Sequence, residues 1–479
     1  MTQIRAKMTP TSFRHCTQAV RAAVMALTLF APPALVVAQP VDIPPTWGGS
    51  FLDRPRLTGD WFGLRDELGK KGVVLDSDLL QIPMGVGTGG RETLAEYSGL
   101  AQYTLNVDTQ KMGLWPGGFL NVMAMTNYGD FVNNASGAVL PPDVASILPQ
   151  PGQTTTGLMN LSFMQFFSPK VGLVVGKLYT LGGDANAFAH DFRSQFLNTA
   201  LNFNATLGLA PLTAYGGTFV FLPWEGATFT AGVVDPSGKA TNNDITEAFS
   251  DGVLVSGEGR VTIKPFGLVG HQLVGMVWSN KERLSLQQDP DNLARFLLQQ
   301  RFTRLSDPGP ILRKILERFF PSLLVPVQPA NTTNNTWSVF YNFDQFLWSP
   351  KDDPQSGIGA FFRFGISDGI ANPVKYAYNV GLGGKGIVPG RKDDTFGLGW
   401  ARTQFSSDFV PFLRQKLDLG LDKEDAVEMY YNVSLAKWLN ATLDLQIIEP
   451  ALNKFLNSSG NLQTMNTSVV GGLRIYSRF

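Results

Sequence analysis

The residues able to do chemistry are few, and they occur in both signs. The chain carries 39 basic and 39 acidic residues, three histidines and one cysteine. Beyond the N-terminal stretch only His190 and His271 remain, far apart in sequence. A Ser/His/Asp relay or a His-based metal site would need one of them with correctly placed partners, and the adjacency of His190 and Asp191 is common by chance. Gly85 to Gly90 resembles a phosphate loop only superficially, because no helix with a Lys-Ser/Thr pair follows. It is assigned to the first external turn. Asp289-Pro-Asp-Asn292 lacks the Gly and Glu of a full Ca²⁺ loop. No covalent chemistry, metal, nucleotide or cofactor is implied, and the even charge balance gives no reason for a nucleic-acid partner. What remains is a set of polar residues on the alternate positions of otherwise apolar segments: Glu258, Arg260, Asp344, Arg363, Glu428, Tyr430, Asp444 and Arg474. Donors and acceptors of both signs suit weak, reversible hydrogen bonding to a polyhydroxylated neutral solute. A single-sign ring would instead select ions.

The elements that must carry these residues are strands. Across Gly357 to Ser367, Ile358, Ala360, Phe362, Phe364 and Ile366 share one face, so Arg363 takes the other. Across Gly252 to Ile263, Val253, Val255, Val261 and Ile263 oppose Glu258 and Arg260. The same reading turns Asn342 and Asp344, then Glu428, Tyr430 and Asn432, then Asp444 and Gln446, away from their apolar neighbours. In Thr467 to Phe479, Val469, Gly471, Leu473, Ile475 and Phe479 oppose Arg474 and Tyr476, with Ser477 breaking the apolar side. An apolar face on every strand calls for lipid or a core. A lipid-facing Arg would cost ~2–4 kcal/mol at the bilayer midplane, so the charges belong inside. Each of them could equally be a wall ion pair that keeps the interior wet.

About sixteen such segments can be counted, beginning near Val73, Gly99, Gly118, Gly157, Gly172, Pro211, Ala227, Gly252, His271, Thr336, Gly357, Val374, Thr395, Asp425, Asn440 and Asn466. Each is near the ~10 residues of a tilted membrane strand. Links after even-numbered segments are short: 168–170, 223–225 and 348–354. Links after odd-numbered ones are long: 128–151, 181–210 and 280–335. That alternation is expected of an outer-membrane barrel, with short turns on the periplasmic side. The third long link holds Asp184, His190, Asp191 and Arg193. The longest, about 282–334, shows helical spacing at Leu312, Ile315, Leu316 and Phe319, and Asp307 to Pro310 separates two short helices within it.

The N-terminal 1–38 reads as a secretory signal. Arg5, Lys7, Arg14 and Arg21 precede an apolar core from Ala22 to Ala31, and Val36-Val-Ala38 fits a cleavage site, with Met8 an alternative start. Cys16 lies within it, so the exported chain has no disulfide. No later apolar run is long enough for a membrane helix. The 50 glycines, 34 phenylalanines and a mean hydropathy of +0.00 fit a barrel, in which lumen and lipid faces average out. Residues 39–72 form a Pro-rich arm and a helix over Trp61 to Leu68, with Asp60 as its N-cap, and residues 73–479 form the barrel.

Leu57-Thr-Gly-Asp-Trp-Phe-Gly-Leu-Arg-Asp-Glu-Leu68, followed by Gly and a strand, resembles the opening signature of the carbohydrate-selective outer-membrane porins, the OprB family, with Phe62 at a usual Gly. Val175-Gly-Lys-Leu178, Val427-Glu-Met-Tyr-Tyr431 with Trp438, Leu443-Asp-Leu-Gln446 and Glu449-Pro450, and the final GLRIYSRF are similar to further parts of that family. The resemblance implies an outer-membrane β-barrel that passes sugars by diffusion through a constriction of Arg and acidic residues. It also implies that the link carrying Asp184, Asp191 and Arg193 folds inward. Implied partners are small carbohydrates and the surrounding lipid and lipopolysaccharide, with the barrel a trimer or a monomer. The rival readings are a general porin for other small polar solutes, a non-transporting surface protein, and an outer-membrane enzyme.

Overall fold

The computed structural model describes residues 43–151, 154–181, 184–289, 292, 295, 309–319, 321–408, 421–456 and 462–479. The signal peptide, most of the first helix expected in the longest link, and the Ca²⁺-loop-like Asp289 to Asn292 stretch beyond its first and last residues lie outside them. Sixteen antiparallel strands close into one barrel. They are β1 Val73–Gly90, β2 Ala95–Asp108, β3 Gly118–Gly129, β4 Thr156–Ser168, β5 Val171–Tyr179, β6 Thr213–Phe221, β7 Ala227–Val234 and β8 Leu254–Ile263. They continue with β9 Gly270–Ser279, β10 Thr336–Trp348, β11 Gly357–Ser367, β12 Val374–Lys385, β13 Thr395–Phe405, β14 Lys423–Ala436, β15 Leu439–Glu449 and β16 Asn466–Arg478. Each strand pairs with its neighbours in sequence, and β16 returns to β1 with Gly85 opposite Gly471 and Asp78 opposite Arg478. Closure leaves no free sheet edge, which is what lets strands cross a bilayer.

The period-two alternation decides the two faces. On β11, Phe364 is exposed to the outside while Phe361, Arg363 and Gly365 are buried inside. Val274, Leu398, Met429 and Leu443 stand outward in the same way. A group of charges breaks the rule at the long-link end of the wall, where Lys423 lies 3.7 Å from Asp425. Arg402 on β13 meets Asp425 on β14 through two bonds of 2.7 and 2.8 Å on the outer face, beside Trp400. The ends of the strands lie near the interface, where such a pair costs little.

Two local expectations are corrected. Gly85 to Gly90 is not a turn: it is the C-terminal end of β1, paired to β2 at Gly85 and to β16 as far as Gly90. The helix α1 before the barrel runs Leu64–Lys70, three residues later than Trp61, and no side chain caps it. Trp61, Phe62 and Gly63 all take left-handed backbone, with φ of 53°, 59° and 89°, so helical geometry cannot begin before Leu64. Asp60 serves through its backbone carbonyl, which accepts from Gly63 and Arg65. In the longest link the second helix is present as α2, Pro310–Phe319. Leu316 is buried, while Ile315 and Phe319 remain exposed, so most of its apolar side is uncovered.

The arm and α1 close the barrel seam at the end where β1 begins and β16 ends. Arg65 lies between the rings of Trp47 and Trp61 and bonds to Asp76 and to the backbone carbonyls of Leu75 and Phe479. Leu57 N–H donates to the Arg478 carbonyl, and Trp438 donates to that of Phe51.

Candidate functional site

The link between β5 and β6 enters the barrel instead of covering it. Three asparagines give it local form. Asn186 Oδ1 accepts from the N–H of Phe188 and Ala189, Asn198 Oδ1 from Ala200, and Asn204 Oδ1 from Thr206. Each starts a tight turn by offering the backbone a side-chain acceptor. Turns made this way leave the loop's outer carbonyls and N–H groups pointing at the wall.

The inward residues of the wall take up those groups. Glu428 accepts the Leu197 and Asn198 N–H groups, one on each oxygen, at 2.5 and 2.8 Å. Arg474 donates to the carbonyls of Phe192 and Gln195 at 2.7 and 2.8 Å and to Thr442. Arg363 binds Asp184 at 2.5 Å and the carbonyls of Leu201 and Ala189. Asp344 accepts the Ala187 N–H at 3.2 Å and lies 2.7 Å from His271 Nδ1. Arg260 donates to the Ala185 carbonyl at 3.1 Å. Charged groups can afford such burial only when hydrogen-bonded, and here the bonds run to backbone that would otherwise be unsatisfied.

Side chains of the loop fill pockets that glycines leave in the wall. Phe196 packs edge-on against Phe361 and Tyr430, with ring centres 5.3 and 4.9 Å away. A Cβ on Gly397 would come within 2.7 Å of the Phe196 ring, and one on Gly359 within 2.1 Å of the Phe188 ring. The loop fits because these two inward positions carry no side chain.

A second link, between β3 and β4, backs the first. Glu424 accepts the Val139 and Leu140 N–H groups at 2.7 and 2.8 Å, and Gln446 donates to the Pro142 carbonyl at 2.8 Å. Val144 N–H donates to Leu197, joining the two links. Val144, Ala145, Leu148, Phe192 and Leu197 pack on Leu80, Ile82, Leu100 and Val470 of the wall. This apolar core fills one side of the bore, so any water path must run beside it.

Partly exposed charge gathers at the edge of that filling. Arg193 Nη1 lies 3.1 Å from Asp191, its Nε lies 3.8 Å from Asp78, its guanidinium also bonds Gln102, and it stacks on Phe192. The Arg193 and Asp191 side chains are 21% and 41% exposed, against 1% or less for Arg363, Arg474 and Glu428. Burial works against the Asp191 charge, but Arg193 beside it and hydrogen bonds from Arg193 and Ser194 hold its carboxyl below the usual carboxylate range. Below this point a cavity of 880 Å³ opens towards the short-link end of the barrel, lined by Phe188, Asp191, Gln195, His271, Tyr430 and Asn432 among others. Above it a smaller cavity of 80 Å³ touches Asp184, Glu258, Asn342 and Arg363.

All eight residues read as inward-facing do face inward. Glu258, Asp344, Arg363, Glu428, Tyr430, Asp444 and Arg474 are buried, and Arg260 stays partly exposed. Asp184, Asp191 and Arg193 come together with them on the loop. Sequence reading missed Glu424, Gln102 and Asp78. Their strand parity was available, since Asp78 follows Val74 and Asp76 on the inner side of β1, but the run Leu79-Leu80 hides that alternation. Among the described residues no group of three or more His, Cys, Asp or Glu could hold a metal ion.

The family model described as "Carbohydrate-selective porin, OprB family" matches residues 92–479. No curated protein matches the chain. Among solved structures, the chain is similar to Pseudomonas putida OprB at high pH, with a TM-score of 0.71 at 19% identity over 90% of this chain and 100% of that one. The low-pH structure of the same protein gives a TM-score of 0.51 at 16% identity, over 89% and 99%. At these identities the structural likeness speaks for the fold, while the family match extends over most of the sequence. The chain therefore belongs to the OprB family of carbohydrate-selective porins, a sugar channel of the Gram-negative outer membrane and not an enzyme.

Proposed function

We propose that sugars cross at the tip of the inward loop, where Arg193 stands between Asp78 and Asp191, and that the buried inward residues act by holding this tip in place. The observation that carries the reading is the contrast in exposure. Arg193 and Asp191 reach water above a large cavity, while Arg363, Glu428 and Arg474 spend their hydrogen bonds on loop backbone. Arg260, His271, Glu258 and Asp344 border the opposite wall, and Tyr430 lines the chamber below. A guanidinium flanked by two carboxylates offers donors and acceptors together. Neutral hydroxyl groups can exchange with both, and no single sign of ion is held. Passage is diffusive, and the site must bind weakly enough to release. The outward apolar positions contact lipid, and the outer-leaflet ends of the strands contact lipopolysaccharide.

Planar-bilayer recordings test this. Added glucose should reduce the KCl current through single channels in a saturable way, and proteoliposomes should swell in isosmotic glucose. A channel that conducts ions but shows neither effect would overturn the reading.

A further inference from the structure

Below Arg193, the inner face of β2 presents an uncharged row from Gln102 to Asn106, before Asp108 ends the strand by accepting the Gln110 and Lys111 N–H groups. Gln102 accepts from the Arg193 guanidinium and donates to Thr104 Oγ1 at 3.3 Å. Asn106 follows two residues later. There the row turns across the sheet, since Asn106 is in register with Asn121 and Asn121 with Ser162. Asn121 Nδ2 donates to Asn106 Oδ1 at 2.6 Å. Asn160 Nδ2 donates to Asn121 Oδ1 at 2.6 Å and to Ser162 Oγ at 2.8 Å. Thr104, Asn106 and Asn121 are partly exposed on the inward face, so they meet lumen water.

We infer that this amide and hydroxyl row is a specificity-determining track that receives neutral polyols as they leave the Arg193 constriction. The inference rests on the sugar-channel reading above. Strand geometry spaces successive inward residues by about 6.8 Å, so Gln102 to Asn106 covers about 14 Å of the wall. Gln102 and Asn160 are buried and spent on their neighbours. Asn121 gives one donor and one acceptor to the row, and Asn106 uses only its Oδ1, which leaves its amide N–H groups for a solute. The bonds all run one way, from Asn160 through Asn121 to Asn106, and such chains polarise their members. The amide N–H groups of Asn106 stand at the exposed end. The acids on β1 that flank the row are already answered, Asp76 by Arg56 and Arg65, and Asp78 by Arg193. Between Gln102 and Asn106 a solute therefore meets neutral hydrogen-bonding groups. Met123, opposite Thr104 and partly exposed, adds apolar contact of the kind a sugar ring offers through its C–H face.

The test is glucose block of single-channel KCl current in wild type, Asn106→Leu, Thr104→Val/Asn106→Leu and Asn106→Gln. Neither Thr104 nor Asn106 bonds the loop, and heat-shifted mobility on gels reports folding of each variant. Expected is about a fivefold weaker glucose block in the double variant, the equivalent of one or two neutral hydrogen bonds. Asn106→Gln should recover most of it. Block by gluconate, which the charged constriction handles, should change less than block by glucose. Unchanged glucose block in a folded double variant overturns the track while leaving the sugar-channel reading intact. Equal loss of glucose and gluconate block, with no rescue by Gln, also overturns it, because a distorted wall explains that result. No glucose block in wild type removes the sugar-channel reading and the track with it.

Discussion

Arg65 Nη2 lies 3.0 Å from the carbonyl oxygen of Phe479, so one guanidinium on α1 holds the strand that closes the barrel. The same nitrogen bonds Asp76 and the Leu75 carbonyl of β1, each at 2.7 Å. Both sides of the seam thus converge on one side chain, itself buried between two indole rings. Arg65→Ala should leave Asp76 with Arg56 alone and free the Phe479 carbonyl. Removing one partner of a buried pair costs about 3 kcal/mol. The variant should lose its heat-resistant gel mobility at a clearly lower temperature than wild type, with single-channel conductance little changed. Lys in its place should recover only part, because its ammonium lacks the planar face that stacks between Trp47 and Trp61.

Glu428 makes a different kind of closure, between wall and loop. Both of its oxygens are occupied by backbone N–H groups, so a carboxylate fits and an amide does not. Glu428→Gln turns one acceptor into a donor facing an N–H. It should therefore raise current noise and weaken sugar block, and Glu428→Ala should do so more strongly. Leaving a buried backbone N–H without its acceptor costs about 1–3 kcal/mol, enough to populate a displaced loop. Single-channel recordings would check this. A quiet channel of wild-type conductance in both variants would mean that other contacts hold the loop unaided.

Arg193 is the exposed cation at the loop tip, with Asp78 and Asp191 beside it. Arg193→Ala should leave two acids without their partner. The reversal potential in a KCl gradient should then shift towards cation selectivity, and glucose block should weaken by about tenfold, as expected for the loss of charge-assisted hydrogen bonds. Arg363→Ala has the opposite character. Arg363 is 1% exposed and tied to three points of the loop, so its loss should loosen the constriction and lower stability more than it alters ion preference.

The contrast between Arg193 and Arg363 marks what the sequence could say. That Arg363 points inward follows from two-residue alternation on β11, because every neighbour on its strand obeys the rule. That it is covered depends on Asp184, 179 residues away, and on carbonyls of a loop with no periodic pattern. Strand starts were legible for the same local reason, and they slip where alternation fades. β2 begins at Ala95 instead of Gly99, because Ala95-Glu-Tyr-Ser98 has no apolar side. The helix start was misread because Asp60 before a periodic run is a good capping signal. Nothing in the residue types announces three consecutive left-handed residues, two of them aromatic. Phe62, at a position where the family signature has Gly, sits at φ 59° with its side chain fully exposed, so glycine's freedom there has a direct backbone reason. The apolar filling of one side of the bore was not legible, since lumen and core positions share the same parity.

Gly359 and Gly397 test whether the loop is fitted to its pockets. A methyl group at either would meet the Phe188 or Phe196 ring well inside contact distance. Overpacking of this sort costs typically about 1–3 kcal/mol. Gly397→Val should push Phe196 off Phe361 and Tyr430 and shift the tip that carries Arg193. Conductance and sugar block should change while the barrel still folds. Gly471, whose Cβ would meet nothing within 4 Å, is the matched control, and Gly471→Ala should behave as wild type in both measurements.

The docking of the arm should depend on acid in one direction only. Thr46 Oγ1 and Trp47 N–H donate to the two oxygens of Asp66, at 2.5 and 2.8 Å. These bonds hold the Asp66 carboxyl below its ordinary value. A carboxylate whose folded value is depressed stabilises the folded form at every pH above the unfolded value of about 3.9, and that contribution disappears as pH falls through the lower folded value. The arm should therefore stay docked from neutral pH down to about pH 4 and loosen only in stronger acid. Protease clipping within 43–56, followed across pH, measures this directly. Asp66→Asn should be clipped faster at neutral pH and lose the acid transition, because an amide oxygen accepts only one of the two donors. Acid-dependent clipping that survives in Asp66→Asn would assign the transition to another group.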